Sequence, residues 1–264
     1  MVEMTRRGFI TASASALLLS HLPRLSRAQI REAAPGEAPI GAPLKLWYRV
    51  PARQWVDALP LGNGPFGAMV WGGTARERLQ LNVDTLFAGS PYDANPPAPQ
   101  PALDEVRRLI FAGRYKDAEV LAQSDLMSQP IRQMPYQAVG DLWMDLDGLG
   151  AIQNYQRELD LETATTTTRF RAGNVSYVRE TFISPVDHCL VLRLTADRPG
   201  AIDGWLSAAS EQDNTISVEN GDLLMRGRNG TRFDIEGGLH FTLRARLIAQ
   251  GGRIETVGNR LRLE

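Results

Sequence analysis

The chain has 264 residues, 43% of them hydrophobic, which suffices for one large domain or two small ones. Its 29 Lys and Arg residues nearly balance its 30 Asp and Glu residues, so no basic patch argues for a nucleic-acid partner. Cys189 is the only cysteine, which excludes an internal disulfide framework and a cysteine-rich zinc site.

The N-terminus carries a pattern typical of a twin-arginine export signal. Arg6 and Arg7 precede the apolar run 12–19, and residues 26–28 read Ser-Arg-Ala, which suits signal cleavage. The run is too short to span a bilayer in the mature protein. We therefore predict a signal peptide over residues 1–28, a periplasmic or secreted location, and no membrane association after cleavage. The alternative is a basic, apolar N-terminal helix of a cytosolic protein.

Residues 29–43 are rich in Ala, Pro and Gly and are interpreted as a flexible leader. The alternating stretch 44–50, LKLWYRV, then predicts a first strand.

The glycine-rich stretch LGNGPFGAMVWGG raises the question of a nucleotide site. Gly62, Gly64 and Gly67 fit G-x-G-x-x-G, and Asp84 follows about twenty residues later, as in a dinucleotide site. However, Pro65 removes a backbone N–H inside the motif, and an alternating strand rather than a helix follows. We interpret these glycines as parts of a β-hairpin.

One segment of the chain is convincingly helical. After a proline-dense loop at 90–101, apolar residues recur at helical spacing over residues 103–126. Gly113 is expected to divide this region into two short helices.

From residue 134 onward the chain is nearly all β. Short apolar or alternating segments recur every eight to twelve residues, separated by glycine-containing turns such as Asn220-Gly221. This spacing predicts an antiparallel sandwich. The predicted strands are 141–145, 163–171, 175–183, 189–196, 201–208, 215–219, 222–228, 239–249, 253–257 and 260–264. Because the last of them has no closing turn, we expect a chain truncated at a sheet edge.

Residues that could carry chemistry are few. The three histidines lack metal-ligand spacing, so no metal site is predicted. Two carboxylates can serve as the acid and the base of a glycosidase, and five candidates are present: Asp84, Asp141, Asp145, Asp160 and Glu180. Turn capping and ion pairing with Arg157, Arg171 or Arg179 are the favoured interpretation for them. Core packing is favoured over sugar stacking for Trp47, Trp55, Trp71, Trp143 and Trp205.

Several long motifs together resemble one known family. In chain order they read WYRVPARQWVDALPLGNGPFGAMVWGG, RLQLNVDTLFAGSPYDANPPA, EVRRLIFAGRYKDAEVLA, PYQAVGDLWMDL, YQRELDLETATTTTRFRAGNVSYVRETFIS and DHCLVLRLTADRPGA. From about residue 44 to the end, the sequence resembles the N-terminal domain of glycoside hydrolase family 95, the α-L-fucosidases.

The resemblance implies a β-super-sandwich that in the family precedes a helical linker, an (α/α)6 catalytic barrel and a C-terminal β domain. It implies hydrolysis of terminal α-linked L-fucose with inversion, without a metal or organic cofactor; some members prefer related sugars such as L-galactose. The barrel, and with it the catalytic acid and base residues, does not occur in this sequence. A smaller departure is Phe87-Ala88-Gly89-Ser90, where relatives usually have Trp-Ser-Gly-Gly, which argues against direct sugar stacking at this position.

The sequence therefore predicts a mainly β, antiparallel super-sandwich over residues 44–264 with a two-helix insert at about 103–126. We expect a non-catalytic domain of an exported fucosidase, with no catalytic residue of its own, whose partners are the barrel in cis and a fucosylated oligosaccharide or glycan. The alternatives are a free-standing carbohydrate-binding or assembly module and a small dinucleotide-dependent enzyme. If any residues approach substrate, we expect Asn82 and Asp84, which leave a strand into a Gly- and Pro-rich loop; a structural Asx-type turn is the competing interpretation.

Overall fold

The computed structural model describes residues 44–96 and 99–264. The predicted signal peptide with Arg6 and Arg7, and the leader at 29–43, lie outside the described residues. The described chain forms fifteen strands, a single 3-10 turn at Trp55–Asp57, and two helices, α1 (Pro99–Phe111) and α2 (Tyr115–Asp125). Neither helix is long and apolar enough to cross a membrane.

The first eight strands are β1 (Lys45–Tyr48), β2 (Leu59–Gly62), β3 (Phe66–Val70), β4 (Arg76–Val83), β5 (Gly140–Leu146), β6 (Ile152–Asp160), β7 (Thr165–Ala172) and β8 (Val175–Ile183). The other seven are β9 (Leu190–Ala196), β10 (Gly204–Ala209), β11 (Asp213–Glu219), β12 (Asp222–Arg228), β13 (His240–Arg246), β14 (Ile254–Val257) and β15 (Arg260–Leu263).

The strands form three antiparallel sheets. The largest has the order β14-β15-β10-β5-β4-β3-β2, the second has the order β1-β6-β7-β8-β9, and the third is β11-β12-β13. The predicted mainly β, antiparallel sandwich is confirmed.

One face of the seven-stranded sheet forms the core. Alternation along β2, β3 and β4 places every second side chain on this face, where the five-stranded and three-stranded sheets cover it. The largest buried cluster contains Leu59, Leu61, Ala68, Val70, Leu79 and Leu81 from the large sheet, with Leu159 and Ile183 from the second and Met225 and Leu243 from the third.

The helical insert is confirmed, with α1 beginning four residues before the predicted start. Its first turn contains Pro99 and Pro101, which are tolerated there because the first N–H groups of a helix lack intrahelical partners. Gly113 has φ +71° and separates the helices as expected. Three buried side chains of the insert, Val106, Leu109 and Ala118, pack on one another.

The glycines of the opening motif lie in a hairpin, as predicted. Gly62 pairs with Gly67 at the ends of β2 and β3, and Gly64, with φ +102°, lies in the turn between them. The Rossmann interpretation is thereby excluded for this segment, since no helix follows the glycines.

The sequence analysis missed one strand, β6. Its sequence, IQNYQRELD, is mostly polar, yet β6 lies inside the five-stranded sheet and Arg157 is almost fully buried. Arg157 donates hydrogen bonds to the carbonyl oxygens of Val50 and Asp57, at 2.8 and 2.7 Å. A buried, hydrogen-bonded arginine occupies a position where an apolar side chain is expected, so the alternation that identifies a half-buried strand is absent.

A buried ion pair joins the two largest sheets. Glu77 of β4 and Arg179 of β8 are 0% and 1% exposed, and their charged groups lie 2.5 Å apart. The other oxygen of Glu77 accepts hydrogen bonds from the backbone N–H groups of Trp71, Gly72 and Arg78, at 3.2, 2.8 and 3.0 Å. Burial raises the pKa of Glu77, while Arg179 and the three N–H groups oppose that shift.

The backbone of the turn between β3 and β4 contacts both members of this pair. Gly72 has φ +73°, and a Cβ there would come within 2.7 Å of both Arg157 and the Tyr155 hydroxyl. That hydroxyl donates a hydrogen bond of 2.5 Å to the Gly72 carbonyl, and Arg179 donates to the Gly73 carbonyl. A side chain at Gly72 would therefore displace the contacts that hold the sheets together.

We predict that Arg179→Met lowers the free energy of unfolding by about 3–5 kcal/mol, because it leaves the Glu77 carboxylate buried without a counter-charge. Denaturant titration measures this. Arg193→Met is the matched control, because Arg193 is exposed and 3.9 Å from Glu180, and it should cost under about 1 kcal/mol. Equal losses for the two variants would contradict the importance of the buried pair.

A second prediction concerns acid stability. The Arg246 side chain foremost, and also Arg244, hold the pKa of Asp222 at about 2, and Arg226 holds that of Glu219 at about 2. Because unfolded carboxyl groups titrate near pH 4, these contacts stabilise the fold above that pH, and the stabilisation is lost as pH falls from about 4 to about 2. Asp222→Asn should flatten the pH dependence of unfolding in this window, measured by denaturant titration at each pH. Glu162→Gln, in the exposed β6–β7 turn, is the control; an unchanged slope in Asp222→Asn would refute the assignment.

Candidate functional site

The two residues predicted to approach substrate lie at the end of β4. Asn82 is paired with Gly67 and lies on the outer face of the large sheet, since its neighbours Leu81 and Val83 pack into the core. Asp84 is exposed just beyond the strand, where its backbone N–H donates to the Pro65 carbonyl at 2.9 Å. The Leu86 N–H closes the turn on the Val83 carbonyl at 3.1 Å, so backbone groups form this turn.

The segment that follows, residues 84–91, is held rigidly by two other parts of the chain; we call it the 84–91 loop. Ala88 donates its N–H to the Pro135 carbonyl at 3.0 Å, and Gly89 donates to the Gly230 carbonyl at 2.8 Å. Gly89 has φ +75°, and a Cβ there would come within 3.1 Å of the Met134 sulfur. Only glycine fits this position without moving Met134.

The side chain of Asn229 binds the backbone of the 84–91 loop. Asn229 is 4% exposed, and its side-chain amide donates to the carbonyl oxygens of Phe87 and Gly89, at 2.7 and 2.5 Å. Its side-chain oxygen accepts the N–H of Leu239 at 2.9 Å. The sequence analysis missed Asn229, because Asn-Gly after a strand indicates only a turn.

A cleft of about 330 Å³ opens between the 84–91 loop and the turn that precedes β13. Its volume is at the lower end of the range for small-molecule pockets. Asn229 already uses its amide hydrogens and side-chain oxygen, so the polar side chains that remain for a ligand are the hydroxyls of Thr85 and Ser90. The full lining is Thr85, Phe87, Ala88, Gly89, Ser90, Pro91, Met134, Asn229, Gly238 and Leu239.

Aromatic side chains stand at the rim of the 84–91 loop. Phe87 is 45% exposed and meets Tyr136 edge to face, with ring centroids 5.3 Å apart. The Tyr136 hydroxyl donates to the Val83 carbonyl at 2.8 Å. Burial foremost, and then the negative charge of Asp84, raise the pKa of Tyr136, so this phenol stays protonated and keeps its hydrogen bond at neutral pH.

The other candidate carboxylates are engaged by cations. Asp141 pairs with Arg78 at 2.8 Å, Asp145 with Arg76 at 3.3 Å and Asp160 with Lys45 at 3.5 Å. The favoured structural interpretation thus holds, although the sequence analysis named other arginines. The partner of Arg179 is Glu77, and Arg157 binds backbone carbonyls.

The core interpretation of the tryptophans is wrong. Trp47 and Trp55 are 54% and 53% exposed. Trp71, Trp143 and Trp205 are half-buried. Trp143 of β5 and Trp205 of β10 alternate with inward-facing residues, and Trp71 directly follows β3. Arginine guanidinium groups cover their rings, with Arg78 at 4.8 Å, Arg76 at 4.2 Å and Arg260 at 4.3 Å from the respective centroids.

The side chains that line the cleft offer hydroxyl groups and apolar surface. No carboxylate lines the cleft in the described part of the chain, and glycoside hydrolysis uses two. Within residues 44–96 and 99–264, no group of three or more His, Cys, Asp or Glu side chains could hold a metal ion.

Comparison with known proteins places this sandwich in a family. The family model described as "Glycosyl hydrolase family 65, N-terminal domain" matches residues 46–264. The chain belongs to this family. The resemblance to a glycoside hydrolase N-terminal domain, drawn from the sequence, is confirmed.

Two curated relatives of the chain are described as fucosidases. Alpha-L-fucosidase 2 of Arabidopsis thaliana is 39% identical over 194 residues, which are 71% of this chain and 22% of the relative. Probable alpha-fucosidase A of Aspergillus niger is 32% identical over 169 residues, 60% of this chain and 21% of the relative. This glycosyl hydrolase family 65 N-terminal domain therefore spans about a fifth of the length of the curated relatives that it matches.

We predict that Asn229→Asp loosens the 84–91 loop. The substitution replaces an amide donor by a carboxylate facing two carbonyl oxygens, which should cost about 2–3 kcal/mol of unfolding free energy. It should also speed amide exchange of Ala88 and Gly89, measured by hydrogen exchange. Asn174→Asp, in the exposed β7–β8 turn, is the control, and unchanged exchange in Asn229→Asp would contradict the clamp.

Proposed function

We propose that this chain is the non-catalytic N-terminal domain of an exported α-L-fucosidase-like glycoside hydrolase that removes terminal α-L-fucosyl groups. The observation that carries the proposal is that the same domain matches both a glycosyl hydrolase family model and a fucosidase sequence. The family model covers residues 46–264, and the chain is 39% identical to alpha-L-fucosidase 2.

Catalysis in this proposal belongs to another part of the longer polypeptide. No carboxylate of the described residues lines the cleft, whereas an inverting glycosidase needs an acid and a base on opposite sides of the scissile bond. The resemblance assigns those groups to an (α/α)6 barrel, which would be the partner in cis. The described residues then supply recognition or support rather than the chemical step.

The 84–91 loop is the part of this domain that we propose to approach the fucosylated oligosaccharide. Asp84, Thr85 and Phe87 are exposed on a backbone that Asn229 and residues 135–137 hold in place. Rigid support of this kind suits a recognition loop, because little conformational freedom is lost on binding. Asn82 lies two residues before Asp84, at the end of β4.

Export through the twin-arginine route completes the proposal, on the basis of Arg6, Arg7 and the cleavage pattern near residue 28. N-terminal sequencing of the exported protein tests it. A start near Gln29 is expected, and a retained Met1 or Val2 would refute it.

The function is tested by incubating a fucosylated oligosaccharide with the purified 264-residue chain and with a longer polypeptide that contains it. We expect fucose release by the longer protein alone. Hydrolysis by the 264-residue chain, abolished by a single substitution within it, would overturn the proposal. Sugar binding by the chain, without hydrolysis by any longer form, would favour the carbohydrate-binding module instead.

In the longer polypeptide, Asp84→Asn should raise KM for the fucosylated substrate about tenfold and change kcat little, because a lost charge-assisted hydrogen bond is worth about 1–3 kcal/mol. Steady-state kinetics measure this. Glu162→Gln, an exposed carboxylate in the distant β6–β7 turn, should leave both constants unchanged. An unaltered KM in Asp84→Asn would refute a role of Asp84 in substrate binding.

A further inference from the structure

The first strand of the fold is exposed along its whole length. All four residues of β1, Lys45 to Tyr48, are exposed, and none of the other strands in the described chain has this property. A strand of a sandwich normally buries one face against the opposite sheet. The inward face of β1 is therefore left largely uncovered by the described residues.

The register of β1 shows that this inward face continues the core. Leu46 pairs with Leu159 and Tyr48 pairs with Arg157, and directly paired residues share one face of a sheet. Leu159 belongs to the largest core cluster and Arg157 is 1% exposed, yet Leu46 and Tyr48 are 43% and 41% exposed. The core face of the five-stranded sheet thus extends beyond the part that the large sheet covers.

The residues that follow β1 enlarge this exposed area. Arg157 holds them beside the strand, because its guanidinium carbon lies 4.4 Å from the Tyr48 ring centroid and its nitrogens donate to the carbonyl oxygens of Val50 and Asp57. We call residues 44–56 the 44–56 surface. Seven of its large apolar side chains are 41% to 72% exposed: Leu44, Leu46, Trp47, Tyr48, Val50, Trp55 and Val56. Concentrated apolar exposure of this kind marks a contact site.

The 44–56 surface carries positive charge among its apolar side chains. Arg49 lies over the Trp47 ring, with its guanidinium carbon 5.5 Å from the ring centroid, and Arg53 is exposed. Neither guanidinium forms an ion pair with a carboxylate of the described residues, and the buried Arg157 binds carbonyl oxygens instead. The Asp57 carboxylate accepts the backbone N–H of Arg53 at 3.3 Å. A partner with carboxylates at its rim would complement these charges.

Two occupants suit this chemistry poorly. In a symmetric dimer formed through the 44–56 surface, the same arginines would face the same positively charged surface of the second copy. Residues 29–43, QIREAAPGEAPIGAP, contain two large apolar side chains, Ile30 and Ile40, which are too few to cover seven.

We propose that the 44–56 surface is a docking surface for another domain of the longer polypeptide, one that presents an apolar centre and an acidic rim. This rests on the proposed function, which makes the chain one domain of such a polypeptide, and the matched residues are 22% of alpha-L-fucosidase 2. Domains of one polypeptide are already close together, so an apolar surface of modest size suffices to hold them in contact.

Hydroxyl-radical labelling read by mass spectrometry tests this docking. The 264-residue chain, at several concentrations, is compared with a longer polypeptide that contains it. Trp47 and Trp55 are 54% and 53% exposed, so they should be labelled in the 264-residue chain. In the longer polypeptide their labelling should fall about tenfold, as expected for side chains that become at least 95% buried. Phe111, which is 89% exposed in the helical insert, is the control and should be labelled equally in both.

Equal labelling of Trp47 and Trp55 in the two proteins would overturn the proposal, as would an equal loss at Phe111. Weak labelling of both tryptophans in the 264-residue chain at every concentration would show that the chain itself covers the surface, and would also overturn it. Protection of the 264-residue chain that grows with concentration would assign the surface to a second copy and contradict docking within one polypeptide.

A substitution gives an independent readout. Val56→Asp should lower the thermal unfolding midpoint of the longer polypeptide by several degrees, because docking would bury the new carboxylate, and leave that of the 264-residue chain unchanged. Val120→Asp is the matched control, since Val56 and Val120 are 72% and 69% exposed, and it should change neither midpoint. Equal shifts for Val56→Asp in the two proteins would contradict docking at this surface.

Both measurements are independent of activity. Protection of Trp47 and Trp55 without fucose release by the longer polypeptide would refute the proposed function and leave the docking surface standing. Fucose release by a longer polypeptide in which both tryptophans stay labelled would do the reverse.

Discussion

The contact between Glu77 and Arg179 is the constraint on which the rest of the sandwich depends. Two charges of opposite sign are buried between the two sheets, and each offsets part of the cost of burying the other. Since the carboxylate also binds three backbone N–H groups of the β3–β4 turn, it fixes both the turn and the angle at which the five-stranded sheet crosses the large one. A purely hydrophobic contact would not specify that orientation, because hydrophobic attraction has no direction.

The Glu77 contact holds the start of β4, and the end of the same strand leads to the candidate site. The strand leads directly into the 84–91 loop, and Asn229 of the three-stranded sheet binds that loop from beneath. The loop is thus positioned by two of the three sheets, which explains how a segment without regular secondary structure can present Asp84 and Phe87 in one place. The described residues thus supply a preorganised surface at this loop.

The sequence was sufficient for the parts of the fold that follow a repeating pattern. Strands such as β8 and β12 alternate or run apolar between turn residues, and the helical insert shows its period between Pro-rich and Gly boundaries. The sequence was insufficient where a residue's place depends on contacts with residues far away along the chain. β6 can bury Arg157 because distant backbone carbonyls accept its hydrogen bonds, and the tryptophans of the outer face are covered by arginines from neighbouring strands. The role of Asn229 depends on a contact 140 residues away along the chain, which no local motif encodes.

The central claim is that this sandwich works as one domain of a longer α-L-fucosidase-like polypeptide. The most direct test is to detect the natural protein in its source cells with an antibody against this domain and measure the size of the polypeptide that carries it. The account predicts a single polypeptide several times longer than 264 residues, comparable to the fucosidases that it matches. A polypeptide no longer than this chain, found alone and without a fucosidase attached, would contradict it.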